Sequence, residues 1–109
     1  MSKYHNKKVQ VDMYVFDSIA ESRRYKELKL LEQAGEISEL ELQPRFLLQE
    51  RFKKNGKTFR KIEYIADFQY IENGRLVIED VKGKETEVFK LKRKLFEYEY
   101  PDYELKLIK

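Results

Sequence analysis

The chain has 109 residues, a net charge of +3 and 39% charged residues, and its 41% hydrophobic share includes 8 Tyr and 7 Phe. That is enough apolar surface for one domain, residues 1–109, with a core of its own, and too much for a disordered chain. There is no cysteine and a single histidine, His5, so disulfides, thiol nucleophiles and zinc sites built from Cys and His are excluded.

No apolar run approaches the ~20 residues of a membrane span, and the first residues lack the apolar stretch of a signal peptide. A cytoplasmic location and no membrane partner are therefore expected. Any catalysis must come from carboxylates, Lys, Arg, Tyr or a hard cation held by oxygen.

Val9 to Phe16 reads as a short hairpin behind a basic arm that carries His5. Ser18 is a good N-cap, and Glu21 follows at capping-box spacing. The helix they open runs to about Ala34, with Tyr25, Leu28 and Leu31 on one side, and Gly35 stops it. Residues 37–52 are extended, with Pro44 as a bend. Asn55-Gly56 is a hairpin signal. Phe59 to Ile71 is the next strand, in which Ile62, Tyr64, Ala66, Phe68 and Tyr70 alternate onto one face. Asn73-Gly74 turns the chain again into Leu76–Lys82. Thr86 caps a second helix that ends before Pro101, with Val88, Leu91, Leu95 and Tyr98 on one stripe. A last strand, Tyr103 to Ile108, pairs most simply in parallel beside Leu76–Lys82 through a right-handed crossover. The expected fold class is α/β.

Charge is patterned along this order. Residues 45–61 hold seven Lys/Arg against Glu50 alone, and no acid interrupts Arg51, Lys53, Lys54, Lys57, Arg60 and Lys61. Such a block is either a solvated hairpin or a phosphate-backbone contact. The second helix begins basic, with Lys84, Lys90, Lys92, Arg93 and Lys94, and follows directly on Lys82.

The second hairpin carries the most specific inference. A two-residue Asn73-Gly74 loop puts Glu72 opposite Arg75 and, by the same register, Asp67 opposite Asp80, on one side of the sheet and about 5 Å apart at Cβ. Lys82 projects from that same face, opposite Ile65. Two acids held together inside an apolar strand pair repel unless a cation offsets them. Mg²⁺ takes carboxylate oxygens, and a neighbouring Lys could orient or deprotonate an attacking water or stabilise charge on a phosphate. The other account is an exposed sheet face on which Lys82 neutralises Asp80. Glu21 is either a cap residue or a third carboxylate. Gln43 is either an edge polar group or an accessory amide near the site.

Asp67 followed after a hairpin by Asp80-Val81-Lys82, with Glu21 on the preceding helix, resembles the PD-(D/E)xK nuclease superfamily. The element order resembles its common core over nearly the whole chain. Lys3-Tyr4-His5-Asn6-Lys7-Lys8, Phe16-Asp17-Ser18 with Glu21 and Arg24-Tyr25, Leu42-Gln43-Pro44, Tyr64-Ile65-Ala66-Asp67-Phe68 and Glu79-Asp80-Val81-Lys82-Gly83 are similar to a small phage and prophage family treated as a nuclease branch. The resemblance implies a restriction-endonuclease-like αβββαβ core, a mixed sheet flanked by two helices. It implies a Mg²⁺-dependent endonuclease, with Mn²⁺ as substitute, that hydrolyses DNA phosphodiesters, with branched or recombination DNA among the candidate substrates. Asp67 and Asp80 would bind the metal with Glu21 as the helix carboxylate, and Lys82 would be the catalytic lysine. Two departures are Ala66, where the pattern has Pro, and Asp at 80 for the commoner Glu.

Lys53, Lys54, Lys57, Lys84, Lys90 and Arg93 are the residues expected to hold DNA. A two-fold homodimer is the simplest way to cut both strands. A phage enzyme of this kind would work in the host cytoplasm. Two other readings stay open: a non-catalytic nucleic-acid-binding module, and a phage accessory interaction protein.

Overall fold

The computed structural model describes residues 8–109, so His5 and most of the basic arm lie outside the described residues. The fold is mixed α/β, with two helices and a mixed sheet. A short hairpin, β1 (Val9–Val11) and β2 (Tyr14–Phe16), leads into helix α1 (Ile19–Gln33). Ser18 Oγ accepts from the Glu21 amide at 3.1 Å. Gly35, at φ 79°, takes the left-handed conformation that ends the helix.

The strands β3 (Ser38–Leu42), β8 (Phe68–Glu72), β9 (Arg75–Val81) and β10 (Glu104–Ile108) form a four-stranded sheet in the order β10-β9-β8-β3. Its β3–β8 and β8–β9 pairs are antiparallel, and β9–β10 is parallel, as the crossover argument expects. Helix α2 (Glu87–Glu99) makes that crossover. Asn73 and Gly74, at φ 53° and 77°, form the two-residue turn between β8 and β9. The pairs Phe68↔Glu79 through Glu72↔Arg75 keep the expected register.

The two long strands read from the sequence are each broken. Residues 37–52 divide into β3, β4 (Arg45–Gln49) and β5 (Phe52–Lys54), with the first break at Gln43-Pro44. Residues 59–71 divide among β6 (Lys57–Phe59), β7 (Ile62–Ile65) and β8, with the second break at Ala66-Asp67. The breaks lie side by side. The Gln43 amide donates to the Asp67 carbonyl and the Ala66 amide to the Pro44 carbonyl. The β3–β8 and β4–β7 pairs are thus two halves of one bent ribbon, and β5–β6 is its tip.

The bend corrects the expected face. Phe68 and Tyr70 pack with Tyr25, Leu28, Phe16 and Val77 on the α1 side. Tyr64 and Ala66 pack with Phe46, Ile78, Phe89 and Phe96 on the α2 side. Ile62 is exposed. Alternation counted through residue 67 fails because the backbone changes sides there. Val77 and Ile78, adjacent in β9, serve opposite cores, so a helix flanks each face of the sheet.

The α2 stripe is also corrected. Val88, Leu91 and Tyr98 are exposed, and Phe89 and Phe96 are the buried residues. Both stripes have helical spacing. The two Phe rings win because they reach the Phe46–Tyr64 aromatic cluster, where Phe96 stands 5.0 Å from Phe46 and 5.3 Å from Tyr64, centroid to centroid.

Candidate active site

The site forms where the ribbon bends against β9. At Asp67 the chain leaves the β8–β9 ladder, with its amide still bonded to the Glu79 carbonyl at 3.0 Å. The next donor on β9, the Val81 amide, would meet no carbonyl. Asp67 Oδ2 accepts it instead, at 2.7 Å. That bond fixes the carboxylate beside Asp80, which is 1% exposed.

The two acids lie near each other, but not as a directly opposed ladder pair: the β8–β9 register of the turn ends at Phe68↔Glu79, and the Asp67 amide bonds Glu79 in its turn. Burial first, and then the hydrogen bond and charge of Asp80, push the Asp67 carboxyl up to about 8. The Val81 amide opposes the rise only in part.

Glu21 joins from α1. Its backbone amide serves the Ser18 cap, while its side chain is buried close to Asp67. The cap at Ser18 thus uses the Glu21 amide, and the Glu21 side chain is turned toward Asp67 instead. Burial, and then the charge of Asp17, raise its carboxyl above the usual range. Gln43, at the bend with φ 52°, lines a cavity of about 200 Å³ with Glu21, Asp67, Tyr14, Phe16 and Leu42. Another cavity, about 460 Å³, lies at Gly74–Leu76 and Asp102–Glu104, the opposite end of β9 from Asp80.

Lys82 stands one residue past β9, with its amide bonded to the Ile108 carbonyl at 2.9 Å. Its Nζ lies 3.6 Å from Asp80 Oδ2 and 4.7 Å from the centroid of Phe89. The ring holds the ammonium from the side. Lys82 is not opposite Ile65, however. Ile65 pairs with Arg45 on β4, because the ribbon has already bent away.

Three further residues shape the site. The Tyr64 hydroxyl donates to Asp80 Oδ2 at 2.5 Å. Burial and that carboxylate raise the phenol far above its usual range. Glu79, on the opposite face of β9 from Asp80, is fully buried. It accepts from Arg24 through Nε at 2.8 Å and Nη2 at 2.6 Å, and from the Tyr70 hydroxyl. Arg24 is one helical turn beyond Glu21, so this ion pair clamps the helix bearing Glu21 to the strand bearing Asp80. Sequence reasoning missed the clamp. Its one sequence signal is two consecutive acids, Glu79-Asp80, in an otherwise apolar strand, which puts a carboxylate on each face.

The residues expected to hold DNA are dispersed. Lys53, Lys54 and Lys57 sit on the exposed ribbon tip, and among the described residues none of them makes an ion pair. Lys84 is exposed beside the start of α2. Lys90 and Arg93 face Glu87 and Glu97 on their own helix, each at 3.7 Å. Lys92 is closer to the chemistry, since it lines a cavity of about 250 Å³ with Lys82, Tyr64 and Phe89.

The donors are all carboxylate oxygens, the chemistry of a hard cation such as Mg²⁺, which binds through one or two carboxylates and keeps several waters. Among the described residues, no group of three His, Cys, Asp or Glu side chains has the arrangement of a formed metal site. The acids instead approach in series, Glu21 to Asp67 and Asp67 to Asp80. Burial, ahead of the adjoining Asp80, is what raises the Asp67 carboxyl. By donor chemistry alone, two carboxylates side by side are the kind of set a hard divalent cation takes.

Among described residues, no helix is long and apolar enough to cross a membrane. No curated protein matches the chain. A family profile described as "Protein of unknown function (DUF1064)" matches residues 1–109, and the chain belongs to that family.

Proposed function

We propose that the protein is a phage-type, Mg²⁺-dependent DNA endonuclease with a restriction-endonuclease-like core. The observation that carries this reading is the buried Asp80. It is held against Asp67, reached by Lys82 at 3.6 Å, and placed where a bent ribbon opens the sheet. Few structural needs explain two adjoining acids and a lysine at that position, since like charges held together repel.

Asp67 and Asp80 would hold the cation, with Glu21 beside Asp67 as the helix carboxylate. A bound Mg²⁺ supplies Lewis acidity toward a phosphate oxygen. Lys82, pinned between Asp80 and the Phe89 ring, is placed to hold or move a proton of the attacking water. It is equally placed to stabilise charge developing on the phosphate. Tyr64 fixes the Asp80 carboxylate by donating to one oxygen. Arg24 and Glu79 act through position alone. The ribbon tip and Lys84, Lys90, Lys92 and Arg93 supply the backbone contacts. Cutting both strands would require two sites, which a homodimer provides.

The test is nicking of supercoiled plasmid in Mg²⁺, Mn²⁺ or EDTA, with wild type beside Asp80→Ala. Cleavage by wild type alone, lost in EDTA, is the expected result. Equal cleavage by Asp80→Ala would remove the site. Binding without cleavage of plasmid, branched or single-stranded DNA would leave a non-catalytic nucleic-acid module.

A further inference from the structure

The β5–β6 hairpin stands clear of the body. Among the described residues, neither strand comes within 8 Å, Cα to Cα, of any other element. Residues 51–61 are all exposed and carry six Lys/Arg and no acid. In that setting two large apolar rings meet. Phe52 and Phe59 are cross-strand partners whose rings stack at 4.8 Å with an 8° interplanar angle. They remain 42% and 36% exposed. The Lys57 ammonium lies 5.1 Å from the Phe59 centroid. Phe59 thus carries both the ring stack and the cation contact, and Phe52, the more exposed of the two, is the ring with surface to offer.

We propose that this hairpin is a stacking wing for unpaired bases of DNA, with Phe52 as the platform and Lys53, Lys54 and Lys57 on the flanking phosphates. The stacked pair also stiffens the hairpin, but that role needs neither the exposed ring nor a cationic surround. A nucleotide strand supplies both complements at once, a flat π-face and a negative backbone. A continuous duplex buries its base faces in its own stack. Forks, junctions and single strands expose them. The inference deepens the nuclease reading, on which it rests for the identity of the ligand, by naming the DNA feature selected.

The experiment separates the two. The chain contains no Trp, so Phe52→Trp installs a single reporter. In EDTA, its emission should change on titration with single-stranded oligothymidylate and with a forked duplex, and stay constant with a blunt duplex of equal length. In the wild-type background, Phe52→Ala should weaken single-strand binding by about 5- to 150-fold, the worth of one base stack. The salt slope should be unchanged, and Phe52→Tyr should restore affinity. Because the hairpin packs on no other element, Phe52→Ala should keep the wild-type melting temperature.

A constant Trp emission with every DNA would overturn the stacking wing, as would equal losses on blunt duplex. Wild type that binds no DNA would overturn it too. Stacking without cleavage of plasmid, branched or single-stranded DNA would leave the wing and sink the nuclease. Cleavage without stacking would do the reverse.

Discussion

The Arg24–Glu79 clamp gives the sharpest test of how the fold builds the site. Arg24→Ala removes both N–H donors facing a carboxylate with no solvent access and leaves Tyr70 as its remaining side-chain donor. Losing one partner of a buried pair costs about 3–5 kcal/mol, because the other charge stays desolvated. The Arg24 side chain is 22% exposed, and water can enter the space it leaves, which places the loss near ~3 kcal/mol. A domain of this size has about 5–15 kcal/mol in all. The melting temperature should therefore fall by roughly 12–20 °C.

Arg24→Leu with Glu79→Leu removes both charges and should recover most of that loss. Cleavage should separate the two properties. An apolar contact has no fixed direction, so the double variant should regain stability yet nick plasmid more slowly than wild type, because Glu21 is no longer held in register with Asp80. Thermal denaturation and plasmid nicking on the same preparations are the assays. An Arg24→Ala variant melting within a few degrees of wild type would refute the reasoning. A double variant no more stable than the single would refute it equally.

Three more outcomes follow from the site and the tip. The folded protein holds a proton on Asp67 up to about 8, above the ~3.9 of an unfolded aspartate. In EDTA, the Asp67 contribution to stability should thus be fully present below about pH 4 and be lost as pH rises through 8, with Mg²⁺ restoring most of it at high pH. A flat melting temperature from pH 5 to 9 would contradict this. Replacing Lys53, Lys54 and Lys57 together by Gln should lower the slope of log K against log salt by about 2.7 on duplex DNA, measured by anisotropy. An unchanged slope would remove the tip from the interface. Lys82→Gln should slow nicking by about 10²–10⁴-fold with little change in melting temperature. Wild-type rates would deny the lysine a role in the chemistry.

Much of the site was legible because one local device placed it. Asn-Gly turns demand two consecutive residues at positive φ, so the Asn73-Gly74 loop length, and with it the β8–β9 register from Glu72↔Arg75 to Phe68↔Glu79, follows from a few adjacent residues; that Asp67 leaves this register does not. The Ser18 cap was legible for the same reason. The destination of the Glu21 carboxyl was not, because it depends on Asp67, which is 46 positions away in the chain and arrives only when the sheet packs on α1. Glu79 was illegible as a structural acid because its partner, Arg24, is 55 residues distant.

The sequence by itself determined the order of helices and strands, both tight turns, the helix caps, the parallel return of β10 and the register of β8 on β9. Each depends on turn chemistry or periodicity acting over a few residues. Only the tertiary structure decided where the ribbon bends, which side of it Tyr64 and Phe68 occupy, and which stripe of α2 is buried. Those choices compare two locally equivalent faces. They are settled by the summed burial of side chains brought together from distant parts of the chain, a quantity that no short stretch of sequence contains.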